Sequence, residues 1–383
     1  MKEVRIGVVG AGIMGGSHAQ RFQKGEIARA RLAAVCDIDP SKRAPWKEVP
    51  TFASAAELIA SKTVDALVIA TPHYAHTTIG IAGLKAGLHV LVEKPISVHK
   101  ADCERLIAAH RGRKQVFSAM FQLRTEPHYR RLRQLIQAGE LGQIQRFNWI
   151  ITNWFRSEAY YASGGWRATW AGEGGGVLMN QCPHNLDMLQ WLVGMPRRVR
   201  AFCQLGKYHN IEVEDDVTAY LEFPNGATGV FITTTGEAPG TNRLEIGGTR
   251  GKIVLENGHL TFIRNEIPSD EFNRTTKGLF DKPPVWNVEV PVHGSAGGHR
   301  EILQNYVDAI LDGVPLIAPA AEGQASVELA NAMLWSSLTG KTIEIPFSAA
   351  GFERQLKRLI AGSRAKKTVR KDVVVNFENS FNR

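Results

Sequence analysis

In the first 120 residues, short apolar runs at Val4–Val9, Arg31–Cys36, Val64–Ala70 and His89–Val92 alternate with stretches of helical length. Each run is nearly continuous in its hydrophobicity instead of alternating, which is the pattern of strands buried on both faces. The intervening stretches Ser17–Lys24, about 75–86 and about 100–111 read as helices, and Gln115–Phe121 reads as a further strand. Such β-α alternation predicts an α/β domain over residues 1–123: a doubly wound parallel sheet with helices on both faces.

After Gln122 the pattern changes. Arg124–Ala138 reads as a basic amphipathic helix. Strands are then expected at Gln143–Asn153, Arg198–Lys207, Val217–Phe223, Thr228–Thr235, Asn242–Ile246, Lys252–Leu255 and His259–Ile263. Turn signals such as Pro224-Asn225-Gly226 and Asn257-Gly258 separate them, as in antiparallel meanders. Helical periodicity returns at His299–Leu311 and Glu322–Leu338, whereas Asn265–Trp286 is low in pattern and is expected to be a mobile loop. Residues 124–350 thus predict an α+β domain with a large open, mostly antiparallel sheet backed by helices.

At 383 residues, two domains are the natural expectation, and 44% hydrophobic with 22% charged residues is the composition of a soluble globular chain. The net charge of +9 is concentrated. Between Gly351 and Asp372, eight basic residues (Arg354, Lys357, Arg358, Arg364, Lys366, Lys367, Arg370, Lys371) face only Glu353 and Asp372, a local excess of six. Residues 351–383 are therefore read as a basic terminal segment, more in keeping with a solvated helix face than with nucleic-acid binding. Cys36, Cys103, Cys182 and Cys203 form no C-x-x-C pair, which speaks against a disulfide frame or zinc site and for a reducing, cytoplasmic setting. No metal site is expected. No segment approaches the ~20 apolar residues that span a bilayer.

Val4–Val9 runs into Gly10-Ala11-Gly12-Ile13-Met14-Gly15, a G-x-G-x-x-G match opening a helix. The first glycine allows the tight turn, the second lets a pyrophosphate approach the backbone, and the third permits close helix–strand packing. The helix N-terminus adds free amides and partial positive charge. Asp37 follows the second strand, 22 residues after Gly15, and is placed to accept hydrogen bonds from an adenosine ribose. This favours NAD over NADP, although Lys42 and Arg43 keep NADP open. Thr71, Pro72, His73 and His76 stand at the end of the third strand. Glu93-Lys94-Pro95 ends the fourth, at the carboxyl edge where open α/β sheets place ligands. Gln122 follows the last strand, and these residues complete the expected cofactor site.

The other informative stretch is the glycine triplet Gly174-Gly175-Gly176, leading to Asn180, Pro183, His184 and Asp187. Asn180 and His184 share a face if the helix continues through Pro183, but a proline there predicts a kink or a helix start. Asp187, three residues after His184, is placed to orient the imidazole.

Taken together, these motifs resemble the Gfo/Idh/MocA family of sugar and inositol dehydrogenases, over residues 1 to about 345. The resemblance implies a Rossmann domain followed by a substrate-binding and oligomerisation domain. It also implies that Lys94 and His184 are the catalytic pair. That family often has aspartate where this chain has Asn180, so Asn180 is expected to hydrogen-bond a substrate hydroxyl or the nicotinamide amide. The partners implied are a carbohydrate or cyclitol substrate and a second or further copies of the chain, as homodimer or homotetramer.

Histidine, with a pKa of about 6.5, suits the proton-accepting role. A lysine would have to fall by roughly 2.5 units, about 3.4 kcal/mol, to do the same, so Lys94 is assigned to polarising the reacting oxygen. Trp154, Arg156, Trp166 and Arg167 offer aromatic faces and guanidinium donors for a polyhydroxylated ring, and Arg124 is a further candidate. Two alternatives stay open: a non-catalytic NAD- or sugar-binding regulator, and a glycosidase using transient oxidation by tightly held NAD.

Overall fold

The computed structural model describes residues 2–363 together with Ala365 and Val369. Its first sheet has six parallel strands: β1 (Val4–Val9), β2 (Ala30–Cys36), β3 (Thr51–Phe52), β4 (Ala66–Ile69), β5 (His89–Val92) and β6 (Phe117–Ala119). They lie in the order β3-β2-β1-β4-β5-β6. Helices α1 (Ile13–Gln23), α2 (Pro40–Arg43), α3 (Ala55–Ala60), α4 (His73–Lys85) and α5 (Lys100–His110) connect them. Strand order reverses between β1 and β4, so the carboxyl ends of these two strands flank a crevice. β1, β4 and β5 are buried almost throughout, as their unbroken apolar runs require.

The β3-α3 unit is absent from the sequence reading. A two-residue strand pairing only with Val35 and Cys36 has no period to read. The α3 signal was present, however: Ser54 and Glu57 form a reciprocal capping box.

The second half opens with a 3-10 turn (Gln122–Thr125) and α6 (Pro127–Gln137), split from each other because Pro127 starts the helix proper. α7 (Glu158–Tyr161), α8 (Val177–Asn180) and α9 (Pro183–Val193) follow the first strand of a nine-stranded sheet. Its members are β7 (Ile144–Ile151), β8 (Arg198–Leu205), β9 (Glu214–Glu222), β10 (Thr228–Thr234), β11 (Asn242–Gly248), β12 (Gly251–Glu256), β13 (His259–Asn265), β14 (Val285–Glu289) and β15 (Ile343–Glu344). Their order is β14-β13-β12-β11-β7-β10-β9-β8-β15, antiparallel except at the central β7–β10 pair. A simple meander therefore fails at the centre of the sheet, where β7 is inserted between two strands that come later in sequence. The stretch expected to be a mobile loop contains α10 (Ser269–Thr275) and the start of β14.

One face of this sheet is packed. Phe147, Trp149, Phe231, Leu244 and Ile246 are buried on it. Helices α11 (Gly298–Asp312), α12 (Gly323–Thr339) and α13 (Ala349–Gly362) complete the described chain. These helices also bind the two sheets together. Lys100 Nζ of α5 donates to Glu328 of α12 at 2.6 Å inside the protein, and Tyr306 of α11 reaches the Leu67 carbonyl at 3.4 Å.

α13 begins the basic terminal segment. Phe352 and Leu356 are buried, leaving Arg354, Lys357 and Arg358 exposed. The remaining basic positions, Arg364, Lys366, Lys367, Arg370 and Lys371, lie outside the described residues.

Candidate active site

β1 ends at Gly10, whose φ of 89° is a left-handed conformation that turns the chain straight into α1. Gly15 packs so closely on this turn that a Cβ would fall 1.7 Å from the Gly10 carbonyl oxygen. Gly12 is different: a Cβ there would meet nothing within 4 Å, so the amides at the start of α1 face open space. That space continues into a cavity of about 500 Å³ lined by Gly12, Ile13, Ser17, Lys42 and Trp46. Asp37 closes the loop. Its Oδ2 accepts from the Ala11 amide at 2.7 Å and its Oδ1 from the Asp39 amide at 2.9 Å, while Arg43 donates to its carbonyl at 2.5 Å. Trp46, buried against this cavity, was passed over in the sequence because an isolated tryptophan between short elements has no distinguishing pattern.

At the end of β4 the Thr71 hydroxyl is buried with no hydrogen-bond partner. Pro72 precedes α4 and sets His73 and His76 into its first turn. Both histidines are buried, not exposed. His73 Nδ1 donates to the Glu173 carbonyl at 3.3 Å, its ring meets Trp166 edge-on, and burial pushes its pKa well below 6.5. His76 is not available to a cofactor. Its two nitrogens each lie 2.8 Å from a carbonyl oxygen, those of Pro95 and Thr71, so it ties together the turns after β4 and β5. Glu93 is likewise withdrawn. Its Oε1 pairs with His18 of α1 at 2.8 Å and its Oε2 accepts the Lys94 amide. Burial works to raise its pKa, but His18 overrides this and holds it down at about 2.

Lys94 points across the crevice to α8, where its Nζ donates to the Asn180 carbonyl at 2.7 Å. Its pKa is lowered, mainly by burial, with Glu93 and Glu173 opposing and Arg167 and Arg156 assisting. His184 lies beside the turn after β6. Gln122 Nε2 is 3.0 Å from His184 Nε2, and Phe121 packs edge-on to the ring. Burial first, and the Lys94 charge second, push His184 well below 6.5. His184 Nδ1 and Gln122 Oε1 are buried without a partner.

Pro183 resolves the ambiguity in this stretch. It occupies the first position of α9, so α8 ends at Asn180 and a separate helix carries His184. Asn180 and His184 therefore do not share one helix face. Asn180 Oδ1 instead accepts from Tyr160, and its Nδ2 donates to Glu173. Tyr160 gathers the substrate candidates. Arg167 Nη1 donates to its hydroxyl at 2.9 Å, Gln181 Nε2 at 3.1 Å, and the guanidiniums of Arg167 and Arg156 lie 4.6 and 5.3 Å from its ring centroid. Arg167 also stacks on Trp166, and Arg156 on Trp154.

Two expectations fail together. Arg124 is not at the substrate surface but only 1% exposed, with both Asp187 oxygens engaged at 2.6 and 2.8 Å and Glu322 at 2.5 Å. Asp187 is thereby occupied by Arg124 and does not orient His184. The glycine triplet also has a packing role: a Cβ on Gly176 would sit 1.9 Å from the Glu214 carbonyl oxygen. Glu214 Oε1 accepts from the Gly176 and Leu178 amides at 2.8 and 3.1 Å, and burial raises its pKa to about 7. Tyr160, Glu173 and Glu214 were all missed in the sequence. Only Glu173, an acid set between glycines, carried a local signal.

The crevice fits a dinucleotide on its own terms. Gly12 leaves the start of α1 open, and the orphaned Thr71, Gln122 and His184 atoms are ready for polar ligand groups. Residues 4–121 match the family model described as "Oxidoreductase family, NAD-binding Rossmann fold", and residues 129–254 match the "GFO/IDH/MocA C-terminal domain". The chain belongs to the Gfo/Idh/MocA family. It is an NAD-binding oxidoreductase of the sugar and inositol dehydrogenase type.

Inositol 2-dehydrogenase 1 of Saccharopolyspora erythraea is 38% identical over 367 residues, covering 89% of this chain and 96% of that protein. Levoglucosan dehydrogenase of Pseudarthrobacter phenanthrenivorans is 22% identical over 391 residues, covering 90% and 99%. Among solved structures, the WlbA dehydrogenase of Chromobacterium violaceum in complex with NADH and UDP-GlcNAcA aligns with a TM-score of 0.78 and 27% identity, over 91% of this chain and 97% of the other. Among the described residues no helix is long and apolar enough to cross a membrane.

Proposed function

We propose that this protein oxidises a secondary ring alcohol of a cyclitol or sugar, with Lys94 polarising the reacting oxygen and His184 accepting its proton. The observation that carries this reading is the convergence of Lys94, Asn180, Gln122 and a neutral His184 at the carboxyl edge of the first sheet. The nicotinamide, when bound, accepts the hydride.

The chain's own residues do the rest. Accepting the Gln122 amide requires a neutral His184 whose proton sits on Nδ1, which leaves Nε2 as the basic nitrogen. A substrate hydroxyl displacing Gln122 donates its proton there. The Lys94 ammonium then stabilises the negative charge that develops on the same oxygen. Asn180, Tyr160, Arg156, Arg167, Trp154 and Trp166 hold the ring. The 38% identity to an inositol 2-dehydrogenase favours a cyclitol. Having both Lys94 and His184 in the crevice weighs against a regulator without turnover.

The outer face of the second sheet carries exposed Phe202 and Tyr220 on β8 and β9, which supports assembly into a dimer or tetramer through that face. Four free cysteines suit a reducing, cytoplasmic setting. The test of function is NADH formation with a panel of inositols, aldoses, alkyl glucosides and anhydrosugars, with NAD⁺ and NADP⁺ in parallel. Turnover of one ring class with NAD⁺ supports the proposal, and NAD binding without turnover of any member contradicts it.

A further inference from the structure

Lys94 has two carboxylates in its surroundings, and one of them is already engaged. Glu93 is held by His18 and by the Lys94 amide. The other, Glu173, is 1% exposed and makes no direct ion pair among the described residues. Its Oε2 accepts from the Ala168 amide at 2.6 Å and its Oε1 from the side chain of Asn180. Its carbonyl accepts from His73 Nδ1. Burial raises its pKa from 4.5, with the Arg167 charge and the hydrogen bonds from Ala168 and Asn180 opposing, and it lies one hydrogen bond from the residue whose carbonyl receives the Lys94 ammonium.

A carboxylate can only accept, so Glu173 fixes which end of the Asn180 amide faces it. Nδ2 turns to Glu173, and Oδ1 turns to the Tyr160 hydroxyl at 3.2 Å and the Gln181 amide at 3.5 Å. We propose that Glu173 is a positioning residue for the oxidoreductase reaction: it locks Asn180 with its acceptor oxygen away from Glu173 and toward bound substrate, and it sets a negative charge one residue's hydrogen bonds away from the Lys94 ammonium. This rests on the reading of the site given above.

The charges around Lys94 are Glu93 beside it in the chain, Glu173 before the glycine triplet, and the cations Arg156 and Arg167 from the segment after β7. His73 and His184 also feel the Lys94 charge and are pushed toward the neutral form by burial. Removing Glu173 leaves Arg156 and Arg167 opposed by Glu93 alone. Lys94 then loses its proton at lower pH.

The test reads Lys94 directly. Trace amine acetylation of the full-length protein, followed by mass spectrometry of the Lys94 peptide across pH, gives its titration midpoint without any substrate. In E173Q the midpoint falls by about one pH unit. With substrate, kcat drops about tenfold, KM changes less, and the alkaline limb of kcat shifts to lower pH by a similar interval. E173Q/N180D returns a single carboxylate to the pair, with the introduced amide donating to the introduced carboxylate, and recovers both the midpoint and most of the rate. N180D alone sets a second carboxylate against Glu173 and raises the midpoint.

An unchanged midpoint in E173Q, or a double variant no better than E173Q, overturns the proposal. NADH binding by fluorescence reports whether each variant is folded. Should E173Q fail that control, the N180D midpoint decides, and no rise contradicts the proposal. If the parent turns over no ring alcohol while the Lys94 midpoint shifts as stated, the dehydrogenase reading fails and the Glu173–Lys94 coupling stands.

Discussion

Gln122, opening the 3-10 turn after β6, and His184 at the start of α9 meet at 3.0 Å through their Nε2 atoms, joining the edge of the first sheet to α9. In the proposed mechanism Gln122 donates to His184 and holds the tautomer with Nε2 as acceptor until substrate arrives. Gln122→Ala removes that control and leaves His184 free to adopt the other tautomer. The predicted outcome is a loss of about tenfold in kcat, ~1.4 kcal/mol, with NADH affinity changed much less. Steady-state kinetics beside a fluorescence titration check it, and an unaltered kcat counts against the assignment.

As the proposed base, His184 acts in its neutral form, and its pKa is pushed below 6.5, so activity is lost only as pH falls through that lowered value. As the proposed oxygen-polarising group, Lys94 acts protonated, and its pKa is lowered from 10.5, so activity is lost as pH rises through a value below 10.5. The kcat/KM profile is predicted to be bell-shaped, with its acid limb below 6.5 and its alkaline limb below 10.5. His184→Asn abolishes the acid limb along with most of the rate.

Asp37 braces the glycine loop through the Ala11 amide, and Ala11 and Lys42 both line the adjoining cavity. Asp37→Ser removes both the brace and the negative charge. NAD⁺ affinity is expected to fall about tenfold, while NADP⁺ gains relative to NAD⁺ because Lys42 and Arg43 are no longer offset. Kd values for both dinucleotides, measured on one preparation, decide the matter.

Arg124 is buried structure, so Arg124→Ala acts on stability. Leaving Asp187 unpaired inside the protein costs about 3–5 kcal/mol, and a large fall in Tm is predicted before any selective change in KM. Glu214 behaves in the opposite sense. Its folded pKa is raised from 4.5 to about 7, so the native state prefers it protonated, and stability is lost as pH rises from about 4.5 through about 7. Glu214→Gln keeps the acceptor for Gly176 and Leu178 and removes the buried charge. A Tm about 3 °C above the parent at about pH 8, with no gain at about pH 4, is the expected thermal-melt result.

Elements specified by local pattern were legible from the sequence: β1, the glycine loop and β5 fall where the apolar runs and glycines place them, whereas α1 starts at Ile13, inside the glycine motif and ahead of the expected Ser17. Pro183 was legible as a boundary, and the helix does start there. Pairings between distant segments were not. Nothing local to Arg124 distinguishes a surface guanidinium from one that closes on Asp187 and Glu322, 63 and 198 residues away. Tyr160 was hidden for the same reason, because its partners Arg167, Asn180 and Gln181 are assembled only when α7 and α8 pack together. Glu93 and His76 sit within recognisable motifs, yet those motifs mark the place and not the direction of the side chain. Both turn inward to hold the backbone.

The central claim is that Lys94 acts on the reacting oxygen. NADH formation by Lys94→Ala, compared with the parent on the ring alcohol the parent turns over best, tests it most directly. The account predicts a fall in kcat of about a hundred- to a thousandfold with NADH binding retained, on the scale of losing an oxyanion-stabilising group. A Lys94→Ala enzyme that keeps most of the parent's kcat contradicts it.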